Sequence, residues 1–137
     1  MSAFSNYLEE KIVQFFLQEN TANVTTPGQT YLALFTNAEL TANTATDATT
    51  FTEPTYNAYA RKAVDWTNIA SGATKNNAAI SFDANDGANP VTITGIGVYD
   101  ALTSGNLLLW SKLTTAKDLA NGDTISFAEN AIVFTLD

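Results

Sequence analysis

Three consecutive stretches decide the fold: Val91-Thr-Ile-Thr-Gly-Ile-Gly-Val-Tyr-Asp100, Ala101-Leu-Thr-Ser-Gly-Asn106 and Leu107-Leu-Leu-Trp-Ser-Lys-Leu113. The first and third are rich in strand formers, and the middle one is turn-like, so together they predict a β-hairpin. Val91 and Ile93 share one parity of the first strand, and Ile96 and Val98 the other. A bulge at Gly95 reconciles the two, because glycine inside a strand marks a bulge or a close backbone approach. Gly97 falls in the same class. No helix signal follows Gly95-Ile-Gly97, so it is not a phosphate loop.

Outward from the hairpin, Thr114 to Gly122 is read as a linker. Asp123–Ala128 and Ala131–Leu136 are read as two further strands, with Asn121-Gly122 a tight-turn dipeptide. Upstream, Ala78–Asp83 alternates with Ile80 and Phe82 inward, and Asp83–Pro90 is a turn. Tyr59–Trp66 reads as a strand with Val64 and Trp66 on one face and Arg61 and Asp65 on the other. Thr30–Thr36 is apolar at both parities and predicts a strand buried on both faces. These elements add up to a single domain over residues 1–137. Its expected fold is mainly β: an antiparallel β-sandwich of about seven strands over residues 30–137, preceded by one N-terminal amphipathic helix.

That helix is expected over residues 2–20, with Phe4, Leu8, Ile12, Phe15 and Phe16 on one stripe and Ser5 as a cap. The stripe must be covered, by the chain's own sheet or by a neighbouring subunit. Glu39–Thr55 is expected to be an exposed loop, because Thr41-Ala-Asn-Thr-Ala-Thr-Asp-Ala-Thr-Thr50 has little to bury. Thr41, Asn43, Thr46, Thr50 and the adjacent Tyr56 join Phe4, Leu8, Ile12 and Phe15 as expected partner contacts; a variable surface insertion is the other reading of the loop. Trp66 and Trp110, in apolar strands, are expected in the core or at a subunit interface.

Composition limits the chemistry. The 137 residues contain no histidine and no cysteine, which removes the usual general base near neutral pH and the thiolate metal sites. Six basic residues against fourteen acidic ones give a net charge of −8. Such a chain is repelled by phosphate backbones and anionic lipid, so neither nucleic acid nor a membrane is an expected partner. The N-terminus lacks a signal-peptide pattern, which predicts use or assembly in the cytoplasm. Paired carboxylates are the one catalytic class left open, and the candidate acids sit at turns and strand ends. Asp83-Ala-Asn-Asp-Gly87 has calcium-loop residues without the ordered spacing or distal glutamate. No catalytic residue, cofactor or metal is expected. Tyr56 and Tyr59 admit either sugar stacking or core-edge packing.

Several stretches resemble one family. Ala79-Ile-Ser-Phe82 is followed by Ile93-Thr-Gly-Ile-Gly-Val-Tyr-Asp100 and Gly105-Asn-Leu-Leu-Leu-Trp110. The ending is Gly122-Asp-Thr-Ile-Ser-Phe127 and Ile132-Val-Phe-Thr-Leu136. This order, with Ser2-Ala-Phe-Ser-Asn-Tyr-Leu8, Tyr31-Leu-Ala-Leu-Phe35 and Tyr59-Ala-Arg61, is similar to small virion proteins of tailed bacteriophages of the tail-fibre type. The resemblance implies a non-enzymatic virion component, assembled in the host bacterium with other virion proteins. It would work in several copies as a homo-oligomer, for which a closed trimer is suitable. A tail, fibre or baseplate role, capsid decoration and, from another class, a carbohydrate-binding module are the functions left open.

Overall fold

The computed structural model describes residues 2–17, 26–38 and 51–135. Its order is β1 (Ser2–Phe4), α1 (Asn6–Leu17), β2 (Thr30–Phe35), β3 (Lys62–Val64), β4 (Ala73–Lys75), β5 (Ile80–Ser81), β6 (Val91–Tyr99), β7 (Leu107–Leu119), β8 (Ser126–Phe127) and β9 (Val133–Thr135). Five strands form one sheet in the order β1-β7-β6-β2-β3, every neighbouring pair antiparallel. The pairs β4–β9 and β5–β8 are separate two-stranded ribbons. The fold is therefore mainly β with one N-terminal helix, as expected. The expected seven-strand sandwich is replaced by one sheet with two short ribbons against it.

The sheet is buried on both faces at its centre. Leu32, Ala33, Leu34 and Phe35 of β2 are all inaccessible. Leu32 and Leu34 point into one core with Ile93, Ile96, Val98 and Leu119, closed by Ile80, Phe82 and Ile125. Ala33 and Phe35 point the other way, into a smaller core with Ala38, Phe51, Tyr99, Leu107 and Trp110. Phe51 stacks on Phe35 with ring centres 4.3 Å apart and touches Trp110 at 5.1 Å. Trp110 is buried, and its indole N–H has no hydrogen-bond partner among the described residues.

Glycine makes this double burial possible. A Cβ on Gly97 would lie 2.3 Å from Phe35 Cζ, and one on Gly95 would lie 2.2 Å from Ala38 Cβ and 2.8 Å from Ser111 O. The expected irregularity at Gly95 is present: Ile93 pairs with Lys117 but Gly95 with Lys112. The extra residues lie in β7, where Leu113–Ala116 stand opposite Thr94 alone. This shift lets Ile93 and Ile96 share a core, while Thr94 turns the other way to accept from Ala38 N and donate to Phe35 O.

Several boundaries differ from the sequence reading. Ser2–Phe4 is a strand, because its backbone pairs with Leu109–Ser111; three residues are too few to show a period of two. The helix starts at Asn6, with Ser5 Oγ accepting from Leu8 N as its cap, and residues 18–20 lie outside the described residues. The expected strand Tyr59–Trp66 shrinks to Lys62–Val64, and Trp66 makes one bridge to Asn76. The expected linker from Thr114 is strand as far as Leu119, followed by a turn at Ala120–Asp123 with Gly122 at φ 89°. Of the expected exposed loop, residues 39–50, with Thr41, Asn43, Thr46 and Thr50, lie outside the described residues; Phe51 and Pro54 are buried.

Two buried asparagines tie the periphery to the sheet. Asn76 donates to Ala78 O and Ala128 O, both at 2.8 Å, and accepts from Ile132 N. Asn85 donates to Asn89 O and Leu119 O and accepts from Gly87 N. Both amides therefore replace backbone partners that irregular segments cannot find in a ladder.

Gly97→Ala should destabilise the fold by about 1–3 kcal/mol, since the Phe35 ring has to move off its site. Gly28→Ala, where an added Cβ meets nothing within 4 Å, is the matched control and should be near neutral. Urea unfolding of the two variants measures the difference.

Candidate docking surface

The helix α1 is held at one end and bare at the other. Ser5 N donates to Leu108 O at 2.9 Å, Ser5 Oγ donates to Leu107 O, and Ser5 O accepts from Glu9 N. The Phe4 ring packs on Phe134 with centres 5.5 Å apart. These contacts set the direction in which the helix leaves the sheet. Yet no α1 side chain is buried. Leu8 and Ile12 are half-covered, whereas Val13, Phe15, Phe16 and Leu17 are 47%, 42%, 71% and 78% exposed. Phe15 and Phe16 meet edge to face at 4.9 Å. Elsewhere among the described residues Ile69, Leu102 and Val133 are the exposed large apolar side chains, far apart in the chain, so the α1 tip carries the greater share of exposed apolar surface. Beside the first turns of α1, Leu8, Trp66, Val98, Leu108, Leu109 and Phe134, with Thr30 and Thr74, line a mostly apolar pocket of ≈ 150 Å³ that is open to solvent.

Of the expected contact residues, Phe4, Leu8, Ile12 and Phe15 thus come together in one region. Tyr56 does not join them. It is buried, its hydroxyl donating to Asp83 O and its ring edge-on to Tyr59, which stacks on Phe82. The sugar-stacking arrangement is thereby replaced by core-edge packing. Trp66 is half-buried, with Nε1 donating to Thr30 Oγ1 at 2.9 Å. Asn121 Nδ2 donates to Gly87 O, holding the Asp83–Pro90 turn against the turn at Gly122. The oxygens of the former are used internally: Asp86 accepts from Ala58 N and Asp83 pairs with Lys62. Among the described residues, no group of three or more His, Cys, Asp or Glu could hold a metal.

On the other side of the sheet lies a polar lock that the sequence did not announce. Arg61 pairs with Glu53 at 2.6 Å, donates to Ala101 O and Ser104 O, and lies 3.5 Å over the Tyr99 ring centre. The Tyr59 hydroxyl donates to Glu53 Oε2 at 2.6 Å and accepts from Leu34 N. One guanidinium and one carboxylate thus join the 51–61 segment, β2 and the β6–β7 turn. Burial, then the hydrogen bond to Glu53 and its charge, raise the Tyr59 pKa far above the usual phenol value. Burial and the Glu53 charge push Tyr99 up to about 12, against an opposing pull from Arg61. Both rings can act only as neutral packing and hydrogen-bonding groups near neutral pH.

Two outcomes follow from the lock. Arg61→Met leaves Glu53 facing an apolar side chain and should cost toward the lower end of ~3–5 kcal/mol, because Glu53 is a quarter exposed; Arg61→Lys should not restore the loss, as an ammonium cannot span both partners. Denaturant midpoints read both. In alkali, unfolded tyrosines lose their protons near pH ~10. The folded Tyr59 and Tyr99 hold theirs longer, so the unfolded chain binds fewer protons and stability falls as pH rises above 10 through about 12. Below pH ~10 this contribution is fully present. Denaturant curves at pH 8 and 11 should show it, with the tyrosinate absorbance appearing together with unfolding.

No curated protein matches this chain. A family model described as Podophage GP4 fiber I protein gp80 matches residues 3–135, which includes α1, all of the sheet beyond Ser2 and both ribbons. The chain belongs to the podophage GP4 fibre I protein gp80 family.

Proposed function

We propose that this protein is a non-enzymatic structural component of a tailed-phage virion, docking in several copies at the tail as a fibre- or baseplate-associated protein. The family match over residues 3–135 carries this reading. The exposed Val13, Phe16 and Leu17 support a docking mechanism, because apolar side chains three and four residues apart share one helix face and are stabilised by a protein surface that covers them. Ser5 and β1 fix the helix direction before docking, so little conformational freedom is lost on contact. Repetition of a weak contact around a symmetric particle makes the attachment persistent.

Labelled protein should be found at the tail of intact particles. Phe15→Ser with Leu17→Ser, both exposed, should lower incorporation at least tenfold while leaving the melting temperature within a few degrees. Label on the head would replace this reading with capsid decoration, and undiminished incorporation would remove α1 from the docking surface.

A further inference from the structure

Of the seven glycines, only Gly87 and Gly122 follow an acid or its amide, in Asp86-Gly87 and Asn121-Gly122. These two dipeptides share one reactivity. The glycine nitrogen can attack Cγ of the preceding side chain, because no Cβ obstructs the approach and the glycine backbone turns freely. In the fold both nitrogens are held by one residue. Gly87 N donates to Asn85 Oδ1 at 2.9 Å, and Gly122 N donates to Asn85 O at 2.8 Å. Asn85 is fully buried and is itself fixed: Nδ2 donates to Leu119 O at 2.9 Å and to Asn89 O at 3.0 Å, and its N donates to Asp123 O. Asp86, Asn121 and Gly122 are exposed, so burial does not shield the reacting side chains from water. We propose that Asn121 is a latent deamidation site and Asp86 a latent isomerisation site, both kept closed by Asn85 in the folded chain.

At Asn121, Gly122 N bonds to Asn121 Cγ, and Nδ2 leaves as ammonia with the proton that Gly122 N gives up. Water then opens the cyclic imide at either carbonyl, which leaves aspartate or isoaspartate. At Asp86 the same attack on the protonated carboxyl expels water, and hydrolysis returns aspartate or isoaspartate. Water is the sole co-reactant. Each attack requires the glycine N–H to lose its proton and the nitrogen to turn toward Cγ. A proton shared with an oxygen of Asn85 is retained, and the peptide plane that carries it is pinned. The groups under attack are held as well: Asn121 Nδ2 donates to Gly87 O at 3.1 Å, and Asp86 Oδ1 accepts from Ala58 N at 3.1 Å. These contacts couple the two sites. Conversion of Asn121 removes the donor to Gly87 O and sets a carboxylate against that carbonyl, in a chain that already carries a net charge of −8. The Asp83–Pro90 turn then loosens, and Gly87 N is freed to attack Asp86.

Peptide mapping by mass spectrometry tests this on the full chain, incubated at pH ~8, folded or in urea. Asn121 should convert at least about tenfold more slowly in the folded chain than in urea, and the other asparagines, none followed by glycine, supply the background. Equal rates in the two states would overturn the proposal. Asn85→Ala should release both sites, whereas Gly97→Ala, which weakens the sheet elsewhere, should release neither; conversion that follows loss of stability in both variants alike would remove Asn85 as the guard. Where Asn85→Ala does not fold, hydrogen exchange of the parent decides: the amide protons of Gly87 and Gly122 should be protected, and free exchange of either overturns the assignment. Asn121→Asp, at an exposed position, should melt within a few degrees of the parent and form isoaspartate at position 86 several-fold faster. An unchanged rate at Asp86 in that variant would show the two sites to be independent and overturn their coupling.

Discussion

The Phe35 ring lies where a side chain on Gly97 would have to be, and much of the fold depends on that contact. Without a Cβ at Gly97, the ring drops onto the backbone of β6 and presents its outer face to Phe51. Phe51 in turn closes over Trp110 of β7. One missing methyl thus allows a second core on the face opposite Leu32, Leu34, Ile96 and Val98. A five-stranded sheet of this size would otherwise leave one face in water, and β2 would lose half of its burial. Gly95 repeats the device against Ala38, and the three surplus residues of β7 take up the mismatch in length.

With both faces closed, the remaining groups of the periphery must be tied down one at a time. Asn76 and Asn85 do so by amide hydrogen bonds, and Arg61 by an ion pair, two carbonyls and an aromatic face. Each tie connects segments far apart in the chain. They hold irregular backbone where no ladder exists, which lets short ribbons substitute for a second full sheet. The helix is the exception. It is anchored through Ser5 and then extends with apolar side chains uncovered, an arrangement that costs free energy in the isolated chain. The chain thus divides into a closed body and one open element, and both lie within the stretch that matches the phage fibre family.

The alternating and helical patterns were legible because they are local. Leu32 to Phe35 reads as a strand buried twice, and Leu8, Ile12 and Phe15 as a helical stripe, from period alone. The β6–β7 hairpin and the irregularity near Gly95 were likewise visible, since glycines and clashing parities lie within ten residues. β1 escaped detection because three residues carry no period. Phe51 was assigned to a loop because its neighbours are small and polar; its burial is decided by Phe35 and Trp110, sixteen and fifty-nine positions away. Arg61 and Glu53 each look like an ordinary surface charge. Nothing within the chain segment between them indicates that Ala101, Ser104 and Tyr99 will complete the cage.

By itself, then, the sequence determined the mainly β class, the single N-terminal helix, the central hairpin and the absence of histidine and cysteine chemistry. It did so because hydrophobic period, turn residues and composition act over short range. Only the tertiary structure decided that one sheet with two ribbons forms in place of a sandwich, that Tyr56 turns inward, and that Phe15 and Phe16 stay outside. Those outcomes depend on which side chains meet across dozens of residues, and packing and charge pairing act through space, not along the chain.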